Sequence, residues 1–261
     1  MAHLGQVDGR LYLSSPYGHV LALSPTTGRT LWRFDARTPK NRDYSENTSR
    51  GVSFWRDAVA TPDTRCATRI FQGTLDARLI ALDAATGLPC PQFGRAGTVD
   101  LNTGSRPRDP GGYLVSSPPV LWRDLAITGS AVGDNRALDV ELGIVRAFNA
   151  RTGALVWRWD PIPRDASNPV YREWSPAAAR LTGAANAWTV LSIDTKRGLL
   201  FVPTGSAGPD FDGSQRPGNS RHANSLAALD AASGRVVWAQ QLVHHDLWDY
   251  DLPAQPVLID L

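Results

Sequence analysis

The sequence predicts an all-β fold, a β-propeller of about four blades, and three observations carry that expectation. First, an apolar strand, a Thr-Gly or Ser-Gly turn and a short strand closing on Trp recur. They run from Val20 to Gly28 and Trp32, from Val145 to Gly153 and Trp157, and from Leu226 to Gly234 and Trp238, while Leu79 to Gly87 is a copy without the Trp. Second, the copies follow one another every roughly 60–80 residues with strand patterns and no helical period, the mark of a radial β repeat. Third, 42% hydrophobic residues with 23 Gly and 19 Pro in 261 residues suit a turn-rich β protein with one large core. In each copy a Gly able to take positive φ reverses the chain, and the fixed spacing from Gly to Trp lets the ring dock on a neighbouring unit. Trp32, Trp157 and Trp238 are therefore expected between blades, and residues 1–261 are expected to form a single domain.

Taken in order, residues 9–13 read as a strand, and the first repeat phrase follows. A polar loop at residues 35–49 then leads to Asn47-Thr48-Ser49-Arg50-Gly51-Val52, an Arg entering a strand. Such an Arg suits two-pronged grip of a carboxylate, although a plain strand-edge Arg is the commoner case. Cys66 and Cys90 stand just before an outer strand and just after its hairpin partner; a disulfide and two buried thiols are both open. A second polar loop spans residues 94–112. The strand Leu125–Thr128 ends in Gly129-Ser130 with Asp134 and Asn135, oxygen donors suited to a hard cation, or simply a turn dipeptide. A third loop spans residues 160–173. Trp188, at the start of a strand but outside the repeat phrase, is either a stacking platform or a core residue. A fourth loop spans residues 206–224. After the last repeat comes His244-His245-Asp246-Leu247-Trp248-Asp249-Tyr250-Asp251, able to bind a transition metal or to hold a general base beside an aromatic wall, or to serve as a solvated turn between blades. Residues 256–261 read as the start of another strand, so the chain is expected to be a segment of a larger propeller.

Composition narrows the function classes. With 27 Lys and Arg against 25 Asp and Glu the formal charge is +2, and the basic residues form no stripe that would suit nucleic acid. No apolar run reaches the length of a membrane span, and the start has neither the basic nor the apolar region of a signal peptide. No Cys-x-x-Cys-His is present, so no attached c-type haem is expected.

These residues, in this order, resemble the pyrroloquinoline quinone (PQQ) dependent dehydrogenases, in particular the membrane-bound glucose, quinate and shikimate dehydrogenase branch. The most specific matches are Ser116-Ser117-Pro118-Pro119, Gly129-Ser130 with Asp134-Asn135, and His244 to Asp249 with Leu252-Pro253-Ala254-Gln255-Pro256. The repeat phrase matches the tryptophan-docking motif of that family's eight-bladed ring, which implies that about four of eight blades are present here. PQQ is a flat tricyclic quinone with three carboxylates. The resemblance implies that its ring stacks on Trp188, that Arg50 grips a carboxylate and a quinone oxygen, and that Ser116 supplies a hydroxyl contact. It further implies that Asp134 and Asn135 hold Ca²⁺ or Mg²⁺, and that Asp249 is the base that takes the proton of the substrate hydroxyl. The implied substrate is a sugar or cyclic polyol, the implied acceptor is ubiquinone, and the implied location is the periplasmic face of the inner membrane.

Some features depart from the family pattern. Alcohol-oxidising relatives carry two adjacent cysteines in the loop before the Arg, and residues 44–49 have none. Glucose dehydrogenases tend to carry a His where this chain has Glu46. The family's cofactor-contacting Lys is expected beyond Leu261, with the remaining blades, so the isolated chain is expected to be inactive. The rival reading is a non-enzymatic propeller serving as a binding or assembly scaffold, which has no need for Arg50, Asp134, Trp188 and Asp249 together.

Overall fold

In the computed structural model, which describes residues 5–61 and 63–259, four four-stranded antiparallel sheets follow one another along the chain. The first blade is β1 (Gly5–Val7), β2 (Arg10–Ser14), β3 (His19–Leu23) and β4 (Thr30–Asp35). The second is β5 (Ser53–Arg56), β6 (Thr68–Gly73), β7 (Arg78–Asp83) and β8 (Thr98–Asp100). A two-stranded ribbon pairs β9 (Tyr113–Leu114) with β12 (Ala131–Val132) and interrupts the third blade, which is β10 (Val120–Trp122), β11 (Leu125–Thr128), β13 (Val145–Asn149) and β14 (Leu155–Trp159). The fourth is β15 (Ser192–Asp194), β16 (Leu199–Pro203), β17 (Ser225–Asp230) and β18 (Val236–Gln241). Within each blade the strands lie side by side in chain order, so every blade is a meander.

Burial explains the difference between strand sequences. In the first blade, β3 alternates half-buried and buried positions, as its sequence His-Val-Leu-Ala-Leu allows. In the second, β7 is buried from Leu79 to Asp83 because other blades cover both of its faces, and its sequence is a continuous apolar run that ends in Asp83.

The repeat phrase forms the third and fourth strands of each blade, and in blades one and three its Trp docks on the turn of the next. Trp32 donates Nε1–H to the Ala84 carbonyl at 3.1 Å, and Trp157 donates to that of Ala231 at 2.9 Å. Each indole lies flat against the turn glycine: a Cβ on Gly87 would sit 2.5 Å from Trp32 Cε3, and one on Gly234 would sit 2.4 Å from Trp157 Cε3. Blade two lacks the Trp and docks by main chain instead, Gly94 N–H donating to the Thr152 carbonyl at 2.9 Å while Gly94 fills the space over Gly153. A bulge follows Ala22, Ala147 and Ala228 in the three Trp-bearing copies, whereas β7 and β8 pair without a shift.

The expectation that Trp238 is packed between blades is not met. It is 43% exposed, because among the described residues no sheet follows β18 to receive it. Gly28, the docking turn of the first blade, has nothing among the described residues within 4 Å of its Cβ direction, so blades one and four do not close on each other. The four blades form an open arc.

Other elements correct the sequence reading locally. The loop expected at residues 94–112 contains β8. Trp188 does not start a strand; it lies in irregular chain ahead of β15. Residues 256–259 pair with no strand, and Asp260 and Leu261 lie outside the described residues. Cys66 and Cys90 are joined in a disulfide across the middle strands β6 and β7, not at an outer strand, with Cα atoms 5.9 Å apart. A short 3₁₀ turn (Pro169–Glu173) and the helix α1 (Pro176–Leu181) were not expected, although Ser175-Pro176 is a helix-start signal and Ser175 Oγ accepts from Ala178 N–H. No helix among the described residues is long and apolar enough to cross a membrane.

Candidate active site

Four loops at one end of the blades line a cleft of about 410 Å³, and a fifth brings Asp210 against its acidic side. The β4–β5 loop supplies Glu46 and Arg50, the chain after β12 supplies Asp134 and Asn135, and the segment before β15 supplies Trp188. The chain after β16 carries Asp210, and the chain after β18 carries Asp249 and Asp251. In the ribbon, β12 lines the cleft with Ala131 and Val132 and leads into Asp134, while β9 leads into Ser116, which lies behind Arg50.

Arg50 is the hub of one wall. Its guanidinium holds the Glu46 carboxylate in two-pronged fashion at 3.3 and 3.2 Å and donates to Ser116 Oγ at 2.6 Å. It also lies 4.8 Å from the centre of the Trp188 ring. Ser116, buried, stands behind Arg50, and its carbonyl also accepts the Arg50 backbone N–H at 2.7 Å. Trp188 is fixed at its other end: Nε1–H donates to Asp251 Oδ2 at 2.5 Å, and Asp251 Oδ1 accepts the Ser206 N–H at 2.6 Å. An indole clamped by a carboxylate and faced by a guanidinium makes a rigid, polar-rimmed aromatic wall.

The opposite wall is acidic. Asp134, Asp210 and Asp249 each bring a carboxylate oxygen within 4.8 Å of the others. Asp249 sits at φ +59°, a left-handed conformation uncommon outside glycine. Asp246 holds that turn: fully buried, it accepts the Trp248 and Tyr250 N–H groups and the hydroxyl of Ser206. His244 and His245 join no metal-competent group among the described residues, and His245 Nδ1 lies 2.9 Å from the Gly218 carbonyl. The transition-metal reading of that segment is thereby corrected: its oxygen donors, not its imidazoles, face the cleft.

Crowding of these acids sets their protonation. Burial, with the charges of Asp210 and Asp251, pushes the Asp134 carboxyl up to about 9. Burial, with Asp249 and Asp251, pushes Asp210 up to about 7. Asp249 is raised by its partial burial and by Asp251 and Asp246. Asp251 is also raised by burial, against hydrogen bonds from Trp188 and Ser206. A bound cation reverses this balance by stabilising the ionised forms.

The donor set fits a hard cation beside a flat carboxylated ring. Among the described residues, both Asp210 oxygens and the Asn186 Oδ1 are buried without a hydrogen-bond partner other than, for Asp210, its fellow acid Asp134, and Asn186 lines the cleft. All of these donors are oxygens, the set that Ca²⁺ and Mg²⁺ take. Arg50 already grips one carboxylate, that of Glu46, as it would grip one on a ligand.

Arg50, Asp134, Asn135, Trp188 and Asp249, far apart in sequence, thus meet in one cleft, with Ser116 one layer back. Sequence reasoning missed Asp210, Asn186 and the bracing role of Asp251. Asp251 lay inside a segment already singled out, and Asn186 stands two residues before Trp188. Asp210 carried no signal beyond its place in a long polar loop.

Comparison with known proteins gives a consistent picture. The β-propeller domain model of PQQ glucose/ethanol/alcohol dehydrogenases matches residues 4–261. Quinoprotein glucose dehydrogenase of Gluconobacter oxydans (strain 621H) is 36% identical over 98% of this chain and 32% of its own length. Quinate/shikimate dehydrogenase (quinone) of Acinetobacter baylyi is 33% identical over 98% of this chain and 33% of its own. The crystal structure of quinohemoprotein alcohol dehydrogenase from Comamonas testosteroni superposes with a TM-score of 0.79 at 26% identity, covering 100% of this chain and 37% of that one. The chain spans about a third of the length of the curated relatives it matches.

Proposed function

Since the chain belongs to the β-propeller family of the PQQ-dependent glucose, ethanol and alcohol dehydrogenases, we propose that its cleft is part of a dehydrogenase site for the hydroxyl of a sugar or cyclic polyol. The observation that carries this reading is the meeting of a clamped indole, a guanidinium and a carboxylate cluster from five separate loops, which a passive scaffold has no reason to assemble.

In this reading Trp188 carries the PQQ ring and Arg50 binds a PQQ carboxylate in place of Glu46, with Ser116 orienting the guanidinium. Asp134 and Asn135 hold Ca²⁺ or Mg²⁺. When bound, the quinone and its metal supply the electrophilic carbonyl that accepts hydride from the carbinol carbon. Asp249 takes the hydroxyl proton, and a nearby cation would keep its carboxylate ionised for that role. Electrons leave for ubiquinone, and the protein works at the periplasmic face of the inner membrane; both assignments rest on the resemblance to glucose and quinate dehydrogenases. Turnover belongs to a longer protein, whose further blades receive Trp238 and dock on Gly28.

Replacing Asp249 tests the assignment. In that longer protein, Asp249→Asn keeps the side-chain shape and is expected to retain PQQ binding while turnover falls by about 10²–10⁴, the usual worth of a positioned base. Unchanged turnover in a dye-linked assay contradicts the role of Asp249.

A further inference from the structure

Five carboxylates crowd the acidic wall, and their partners divide them. Asp246 accepts from Ser206, Asn224, Trp248 and Tyr250, and Asp251 accepts from Trp188 and Ser206. Those two are satisfied within the protein. Asp210 is fully buried, and among the described residues neither of its carboxylate oxygens has a hydrogen-bond partner other than a fellow acid, Asp134, which with Asp249 lies within 4.8 Å. A buried, unpartnered carboxylate costs several kcal/mol unless a cation or a proton answers it, as an order of magnitude.

The nearby buried cation does not answer it. Arg216, 1% exposed, spends its Nη2 on main-chain carbonyls, those of Pro209 at 3.2 Å, Asp210 at 3.4 Å and Asp246 at 2.5 Å. It staples the Asp210 loop to the Asp249 loop by their backbones and leaves the Asp210 carboxylate free to face the cluster.

We propose that Asp210 is a direct ligand of the cation in this cleft, beside Asp134 and Asn135, and that the enlarged oxygen set selects Ca²⁺ over Mg²⁺. The inference rests on the reading of the cleft as a metal and quinone site and extends it by one residue and one selectivity. Ca²⁺ accepts six to eight oxygens in flexible geometry, whereas Mg²⁺ keeps its waters and takes one or two carboxylates. The carboxylates of Asp134 and Asp210, each able to give two oxygens, with Asn135 and the unpartnered Asn186 Oδ1 match the first demand.

Calorimetric titration of the metal-stripped protein with CaCl₂ and with MgCl₂ tests this, using wild type, Asp210→Asn and Asp134→Asn. Wild type is expected to bind Ca²⁺ more tightly than Mg²⁺, and Asp210→Asn to weaken Ca²⁺ binding by more than about a hundredfold, since outer-shell changes alone cost up to about that much. Metal-free Asp210→Asn is expected to melt no lower than wild type, because the lost charge was repelled by Asp249 and Asp251. Full Ca²⁺ affinity in Asp210→Asn with weakened binding in Asp134→Asn overturns the role of Asp210 and leaves the site standing. Tighter binding of Mg²⁺ overturns the selectivity, and a lower melting point of metal-free Asp210→Asn overturns the ligand role in favour of a structural one. Absence of Ca²⁺ and Mg²⁺ binding in wild type overturns the metal site itself.

Discussion

His222 shows how burial, with the like charge of Arg221 beside it, makes a residue pH-sensitive in this molecule. It is buried beside Trp159, ring centroids 5.7 Å apart, and burial lowers its pKa from 6.5 to about 4. Between those values the unfolded chain takes up a proton that the folded chain refuses, so stability is lost as pH falls from about 6.5 to about 4. Urea midpoints measured across that window should drop with acidity in wild type, and the slope should flatten in His222→Asn, whose Asn tolerates the φ of +74° at this site. An unchanged slope assigns the acid sensitivity elsewhere. His222 drew no notice in the sequence, since its burial depends on partners such as Trp159, 63 positions away. Asp210 was silent for the same reason. Arg50, Asp134, Trp188 and Asp249 were legible because each sits in a short segment whose neighbours carry the family pattern.

The repeat phrase is where sequence and structure agree most closely, because its logic is local. A turn glycine and a Trp a few residues later are enough to define a docking contact. Where the Trp is missing, in blade two, the sequence reading lost β8 as well, although Gly94 does the same work through its backbone. The glycines offer a direct test of docking. Gly28 and Gly87 have nearly the same φ, +69° and +74°, so replacing either with Ala costs a similar ~1–2 kcal/mol of left-handed strain. Only at Gly87 does the new methyl meet Trp32, at 2.5 Å from Cε3, which adds an overpacking cost of ~1–3 kcal/mol. Gly87→Ala should therefore lower stability more than Gly28→Ala in chemical denaturation of this chain. Equal losses contradict the docking contact as the element that joins blades.

At the scale of the molecule, the arc positions loops and leaves two complementary ends. Trp238 is a docking ring without a turn to receive it, and Gly28 is a docking turn without a ring. The propeller class was legible from periodicity, but which faces are covered was not, since that depends on which blades lie on either side. The same holds for the site, whose loops are brought together only by the curvature of the arc. The central claim is that this meeting point holds PQQ and a divalent cation. A crystal structure of the protein grown with PQQ and CaCl₂, with the ion located by anomalous scattering, tests it most directly. The predicted result is the quinone ring against Trp188, one of its carboxylates on Arg50 with Glu46 displaced, and Ca²⁺ among Asp134, Asn135 and Asp210 within reach of Asp249. A quinone bound away from Trp188, or a cleft that stays empty at saturating PQQ and Ca²⁺, would contradict it.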